Sequence, residues 1–257
     1  MSYRSDAIYP DLPPMARNGV GQACLRAWSV CPDPLSSVGV AVSSALATLK
    51  PLPSLVALVL AGGQSRRMGT DKALLPWQGE PLLSRTCRAA LACTSQVYVV
   101  TPWREQYRSI LPATVDLWPE PPTLEPDGKR PGPLMALASV VAELANCDLA
   151  HRPQWVLALA CDLPNLDGTA LQRWAEHLAT LSPSVMAYLP QSQGRWEPLC
   201  GFYRVACVAS WNAYLATGKR SFQGWLHQQS VAMIPDVNPA WLMNLNTPDD
   251  LADGQGS

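Results

Sequence analysis

The sequence lacks a metal-ligand pattern: no two cysteines stand as C-x-x-C, and its three histidines are scattered. That argues against a structural zinc site. Charge is sparse, 15% Asp, Glu, Lys and Arg, and the formal net charge is −1. No strongly basic face follows from such a balance, so nucleic acid is not an expected partner. No apolar run is long enough to span a bilayer, and a membrane role is not expected. The start of the chain carries no charged stretch followed by an apolar one, so no secretory signal is read there. The eight cysteines, Cys24, Cys31, Cys87, Cys93, Cys147, Cys161, Cys200 and Cys207, fall mostly in apolar segments. Thiols placed this way behave as small hydrophobes and point to a reducing compartment, with the cytoplasm as the expected location.

What is present is a chain of 257 residues, 48% of them hydrophobic. That is enough for one large α/β domain with a substantial core. The 25 prolines are uneven. They concentrate over residues 9–53 and 118–133, where irregular chain is expected. Residues 1–54 show no sustained period; within them 38–49 could form a short helix or nothing stable. A disordered extension or a start codon assigned too far upstream are the favoured readings of this stretch, a regulatory arm the minor one.

The most informative stretch is Leu55 to Lys72, LVALVLAGGQSRRMGTDK. Its first six residues are continuously apolar, the pattern of a strand buried on both faces. Gly62 and Gly63 end the run and let the backbone approach a ligand closely. Arg66, Arg67 and Lys72 follow with several backbone N–H groups, a set suited to a polyphosphate. No Gly-Lys-Ser/Thr closes the loop, so it is not a P-loop, and the G-x-G-x-x-G spacing of a dinucleotide fingerprint is missing. The string L-A-G-G-x-S-x-R-M-G-x-D-K resembles the nucleotide-binding loop of the nucleoside-triphosphate transferases. Within them it most resembles the molybdenum cofactor guanylyltransferase (MobA) family.

Further along, residues 82–91 carry an amphipathic helix opened by Pro81, and 97–100 a second buried strand ending at Thr101. A helix is expected around 104–110 and a short strand over 115–118. Pro131-Gly132-Pro133-Leu134 starts a helix running to 144. Residues 155–160 (WVLALA) form the next buried strand and run into Cys161-Asp162-Leu163-Pro164. A carboxylate just past such a strand lies where open α/β sheets place ligands. A helix over 169–181, a strand over 185–189, a polar turn over 191–196, helices over 208–216 and 221–228, and a strand over 231–234 complete the pattern. Near the end, Asn244-Leu245-Asn246-Thr247-Pro248-Asp249 includes a helix start, with Thr247 as cap and Pro248 in the first turn.

The resemblance covers residues 55–257. It implies a three-layer Rossmann-like nucleotidyltransferase fold with a mostly parallel sheet, preceded by the irregular 1–54 extension. It implies GTP as donor and molybdenum-molybdopterin as acceptor, with magnesium on Asp162. Arg67 and Lys72 would sit on the β- and γ-phosphates, and Leu60, Ala61, Gly62 and Gly63 would meet the nucleotide. Gly132 would bend under it, and Asn244 and Asn246 would face the site. Arg195 and Glu197 are candidates on the acceptor side. Molybdoenzyme apoproteins or other cofactor-biosynthesis proteins are the expected protein partners. The family has an Asn after the second strand and an acid before Gly-Pro-Leu, both on the nucleotide. Here Thr101 stands at the first position, and the acid is Asp116 or Glu120. A cytidylyltransferase on the same cofactor, a sugar-phosphate nucleotidyltransferase, and a non-catalytic nucleotide-binding protein are the rival readings.

Overall fold

The computed structural model describes residues 54–63, 71–120, 132–149 and 151–245. The elements follow the apolar runs. Strand β1 is Leu55–Leu60. A single 3-10 turn, Lys72–Leu74, leads to a short hairpin, β2 (Pro76–Trp77) and β3 (Glu80–Pro81). Helix α1 (Leu82–Leu91), strand β4 (Val97–Thr101), the short helix α2 (Arg104–Arg108) and strand β5 (Val115–Pro119) come next. Then follow helix α3 (Pro133–Ala145), strand β6 (Trp155–Ala160) and helix α4 (Gly168–His177). Strand β7 (Ala187–Leu189), the hairpin β8 (Gln191–Ser192) and β9 (Arg195–Trp196), and strand β10 (Cys200–Arg204) lead to helices α5 (Val208–Ala216) and α6 (Phe222–Leu226). Strand β11 (Val231–Met233) is the last.

Seven strands form one sheet in the order β11-β7-β10-β6-β1-β4-β5. The pairs β1–β4, β1–β6, β4–β5 and β7–β11 are parallel. Strand β10 alone runs against its neighbours β6 and β7. The sheet is therefore mostly parallel, as expected. The two continuous apolar runs became its centre because both faces are covered: Val56 to Val59 and Val156 to Leu159 are at most 2% exposed. Helix α1 buries Leu82, Leu83, Cys87 and Ala90, and α3 buries Leu134, Leu137, Val140, Val141 and Leu144, each on one face. Helix α4 comes close to α1 through Gly168, where an added Cβ would lie 3.1 Å from the Ala92 Cβ.

Several expectations shift at their ends. Pro81 is the last residue of β3 and the cap of α1, not its first turn, because it is already paired in the hairpin. The helix expected over 169–181 gives way after His177 to a 3-10 turn, Leu178–Thr180. The strand expected over 185–189 pairs only from Ala187. The polar turn at 191–196 is a two-stranded hairpin. Gln193 and Gly194 at its tip take φ of 50° and 75°, the mirror-type geometry that closes tight hairpins. The helix start at Thr247 and the possible helix over 38–49 lie outside the described residues.

Candidate active site

The carboxyl ends of β5, β4, β1 and β6 open onto one cleft of about 690 Å³. The reversed strand β10 delivers its first residue, with Glu197, Pro198 and Leu199, to the same edge. From β5 to β10 the cleft crosses four strand-to-strand steps, about 19 Å.

The β1 end supplies Leu60, Ala61, Gly62 and Gly63, all lining the cleft. Backbone bonds stitch this end to its neighbours: Ala61 N–H donates to Val100 O at 3.0 Å, and Glu120 N–H to Thr101 O at 3.2 Å. Thr101, a nucleotide contact in the sequence reading, is placed differently from the lining residues. It is fully buried and does not line the cleft. Its hydroxyl donates to Ala61 O at 3.0 Å and accepts from Trp103 N–H at 3.1 Å. With its hydroxyl held between two backbone groups, Thr101 braces the turn beneath the cleft.

The two acids left open in the sequence take different positions. Asp116 lies exposed within β5, paired opposite Tyr98. Glu120 follows the end of β5 and lines the cleft beside Gly62. Its carboxylate comes so close that a Cβ on Gly62 would lie 2.6 Å from Oε2. Opposite, Gly132 takes φ +82° and caps α3, with Pro133 at its first position. Gly132, Pro133 and Ala136 line the cleft. The amino end of this 13-residue helix is thus turned to the cleft, where its unsatisfied N–H groups and dipole favour an anion.

Lys72 and Asp162 meet in the middle. Lys72 Nζ lies 3.5 Å from Asp162 Oδ2, and both side chains are about four-fifths covered, 17% and 22% exposed. The Asp162 carbonyl accepts from Leu245 N–H at 3.2 Å. That bond ties the chain around Leu245 to the site, and Asn244 beside it lines the cleft. Leu245 is fully buried with Trp77 and Leu82. Cys161 precedes Asp162, and burial, then the Asp162 charge, pushes its thiol up. It therefore stays a protonated thiol near neutral pH and does not serve as a nucleophile.

Glu197 lies at the β10 end, half-buried, with its carboxyl raised by burial and partly lowered by Arg195. Arg195 is exposed on the β8–β9 hairpin and is not among the lining residues. Arg66, Arg67 and Asn246 lie outside the described residues.

Sequence reasoning passed over Asp71 and Tyr107, both of which line the cleft. A helix-cap signal at Asp71, one residue before Lys72-Ala73-Leu74, was available. Tyr107 carries no such signal, since it arrives from α2, 36 residues away.

No group of three or more His, Cys, Asp or Glu side chains is placed to hold a metal among the described residues. One carboxylate nevertheless fits magnesium, which takes hard oxygens and completes its shell with water and substrate phosphates. Asp162 is that carboxylate, at the centre of the cleft.

The MobA-like NTP transferase domain profile matches residues 57–232. A protein of Nostoc sp. named "Probable molybdenum cofactor guanylyltransferase" is 44% identical over 204 residues, 79% of this chain and 91% of its own length. Among solved structures, molybdopterin-guanine dinucleotide biosynthesis protein A from Archaeoglobus fulgidus superposes with a TM-score of 0.59 at 18% identity. It covers 77% of this chain and 95% of its own. A Mycobacterium tuberculosis protein crystallised as a complex with manganese superposes at 0.54 with 14% identity, over 79% of this chain and 99% of its own. The structural likenesses carry the fold, and the sequence matches carry the kinship: the chain belongs to the family of MobA-like NTP transferase domains.

Proposed function

We infer that this chain is a molybdenum cofactor guanylyltransferase. It transfers GMP from GTP to the terminal phosphate of molybdenum-molybdopterin, forming the guanine dinucleotide cofactor and releasing pyrophosphate. The observation that carries the reading is one cleft joining four features: the Gly62-Gly63 turn, the amino end of α3, the Glu120 carboxylate and the Lys72–Asp162 pair. Relatives bearing the guanylyltransferase name align over 79% of the chain. Residues 55–257 form the transferase domain in this reading, and residues 1–54 lie outside it. No described helix is long and apolar enough to cross a membrane; the cytoplasm is the proposed location.

The chemistry asks the protein mainly to hold two anions together and to offset charge growing on the leaving group. A phosphate monoester is already anionic near neutral pH, so the acceptor needs no strong general base. Lys72 provides the fixed positive charge for the triphosphate, together with Arg67. Magnesium held by Asp162 would supply Lewis-acid polarisation of the phosphate oxygens. The N–H groups of Gly132 and Leu134, on either side of Pro133, add donors, and Gly62 and Gly63 let the nucleotide lie against the backbone. Base choice falls to Glu120. Guanine offers two adjacent donors, N1–H and the 2-amino group, which two carboxylate oxygens can accept together. Cytosine presents an acceptor beside its amino group and adenine likewise, so neither matches. The β10 end, with Glu197 and Asn244, is left for the acceptor.

The test is calorimetric binding of GTP, CTP and ATP with magnesium to the full-length protein and to Asp162→Ala. GTP preference in the wild type, and loss of magnesium-dependent binding in the variant, are expected. Preference for CTP would move the assignment to the cytidylyl relative, and binding of no nucleotide would sink the enzyme reading.

A further inference from the structure

Lys72 sits on a 3-10 turn only three residues long. Such a turn has little stiffness of its own, yet its amine has to be held near Asp162. The fixing comes from the neighbouring acid. Asp71 Oδ1 accepts from Ala73 N–H at 3.0 Å, and its backbone carbonyl accepts from Leu74 N–H at 3.1 Å. Its other oxygen, Oδ2, accepts from the Tyr107 hydroxyl at 2.6 Å and from Gln106 Nε2 at 3.1 Å. Tyr107 is fully buried, and its ring meets Trp103 edge-on at 6.5 Å. Burial first, and the bond to Asp71 next, push the Tyr107 phenol well up, so it remains a donor at any working pH.

Asp71 lines the cleft beside a lysine and at first sight could be a second carboxylate for the metal. Three donors already occupy its two oxygens, and one of them is a fully buried phenol. We propose that Asp71 and Tyr107 are positioning residues: Tyr107 anchors the Asp71 carboxylate, and Asp71 sets the turn that aims Lys72 at the phosphates, without ligating the metal. This rests on the nucleotidyltransferase reading given above for what Lys72 touches. The strut itself stands on the bonds just described.

The test is a double-mutant cycle between Tyr107→Phe and Lys72→Ala, with Asp71→Asn alongside. Tyr107→Phe removes one hydroxyl and keeps the buried ring. It is expected to lower kcat/KM about 10- to 100-fold, the scale of an ångström of misplacement, and to leave the magnesium concentration for half-maximal activity unchanged. In the Lys72→Ala background the same change should cost less than about twofold, read as Mg·GTP affinity where turnover is too slow. Asp71→Asn, which keeps the acceptor oxygen for the turn, should retain more activity than Asp71→Ala. A loss of equal size in both backgrounds would overturn the proposal, as would a raised magnesium requirement in Asp71→Asn with Tyr107→Phe at wild-type level. A second readout needs no turnover. Trinitrobenzenesulfonate labelling of Lys72, followed by peptide mass spectrometry, should be faster in Tyr107→Phe than in the wild type; equal rates would also refute the strut. If the wild-type protein binds no nucleotide at all, the functional reading fails while the labelling still decides the strut.

Discussion

Gly62→Ala isolates the Glu120 contact proposed to set base choice. The added Cβ would lie 2.6 Å from Glu120 Oε2 and 3.1 Å from both Cδ and Oε1. Ordinary contact begins near 3.4 Å, so the carboxylate has to retreat by about 0.8 Å. The backbone has no objection to alanine, since Gly62 is not among the glycines with positive φ. Every atom met is the far end of one flexible side chain, so folding should lose little, within about 2 °C of melting temperature. Binding is different. A charge-assisted hydrogen bond is worth about 1.5–3 kcal/mol, and a carboxylate displaced from a donor pair forfeits most of it. GTP affinity should fall about 10- to 100-fold, with CTP and ATP scarcely changed. Calorimetry with each nucleotide, beside a thermal melt, reads both numbers. In a Glu120→Ala background there is nothing left to displace, and Gly62→Ala should then add almost nothing. Two results would refute the reasoning: unchanged GTP affinity in Gly62→Ala, or independent and additive losses from the two substitutions.

Two other outcomes follow from groups near the cleft. Thr101→Val keeps the shape and leaves the Ala61 carbonyl without its hydroxyl donor; stability should drop by about 1–3 kcal/mol, measured by urea unfolding, and a neutral result would show that Ala61 O finds another partner. Glu197 has its carboxyl raised above the usual 4.5, mainly by burial. A raised acid favours folding while protonated, so its contribution is full below the unfolded value and lost as pH rises through the folded one. Glu197→Gln should therefore raise the melting temperature at pH 7.5 and leave it nearly unchanged at pH 4; a gain confined to pH 4 would contradict the burial argument.

The central strands could be read from the chain to the residue. Residues 55–60 and 155–160 are continuous apolar runs, and the observed β1 and β6 have those bounds. Burial on both faces leaves only one way to place such a run. Where a segment is closed by partners far away, the sequence says less. Val185 and Met186 look like strand, but the Arg204 guanidinium takes the Val185 carbonyl and the Met186 N–H goes to Ser230 O. The Gly62–Glu120 contact and the Tyr107–Asp71 bond join residues 58 and 36 positions apart. Neither leaves a local trace, and this is why the sequence left Asp116 and Glu120 unseparated. Lys72 and Asp162 were legible because each directly follows a buried strand or its loop, where chain direction alone fixes the edge.

The reversed direction of β10 has a consequence for how such a cleft can diversify. A strand parallel to β6 would begin at the opposite edge of the sheet and contribute only its end. Running backwards, β10 brings in a whole connecting segment, from the β8–β9 hairpin through Leu199, that reaches the cleft without passing any of the glycine turns. The two sides of the cleft are therefore separate stretches of inheritance. Substitutions and insertions between Pro190 and Cys200 can remodel one wall while Leu60 to Gly63, Glu120 and Gly132 keep theirs; under the proposed function, a lineage can then change what it modifies and still spend the same nucleotide.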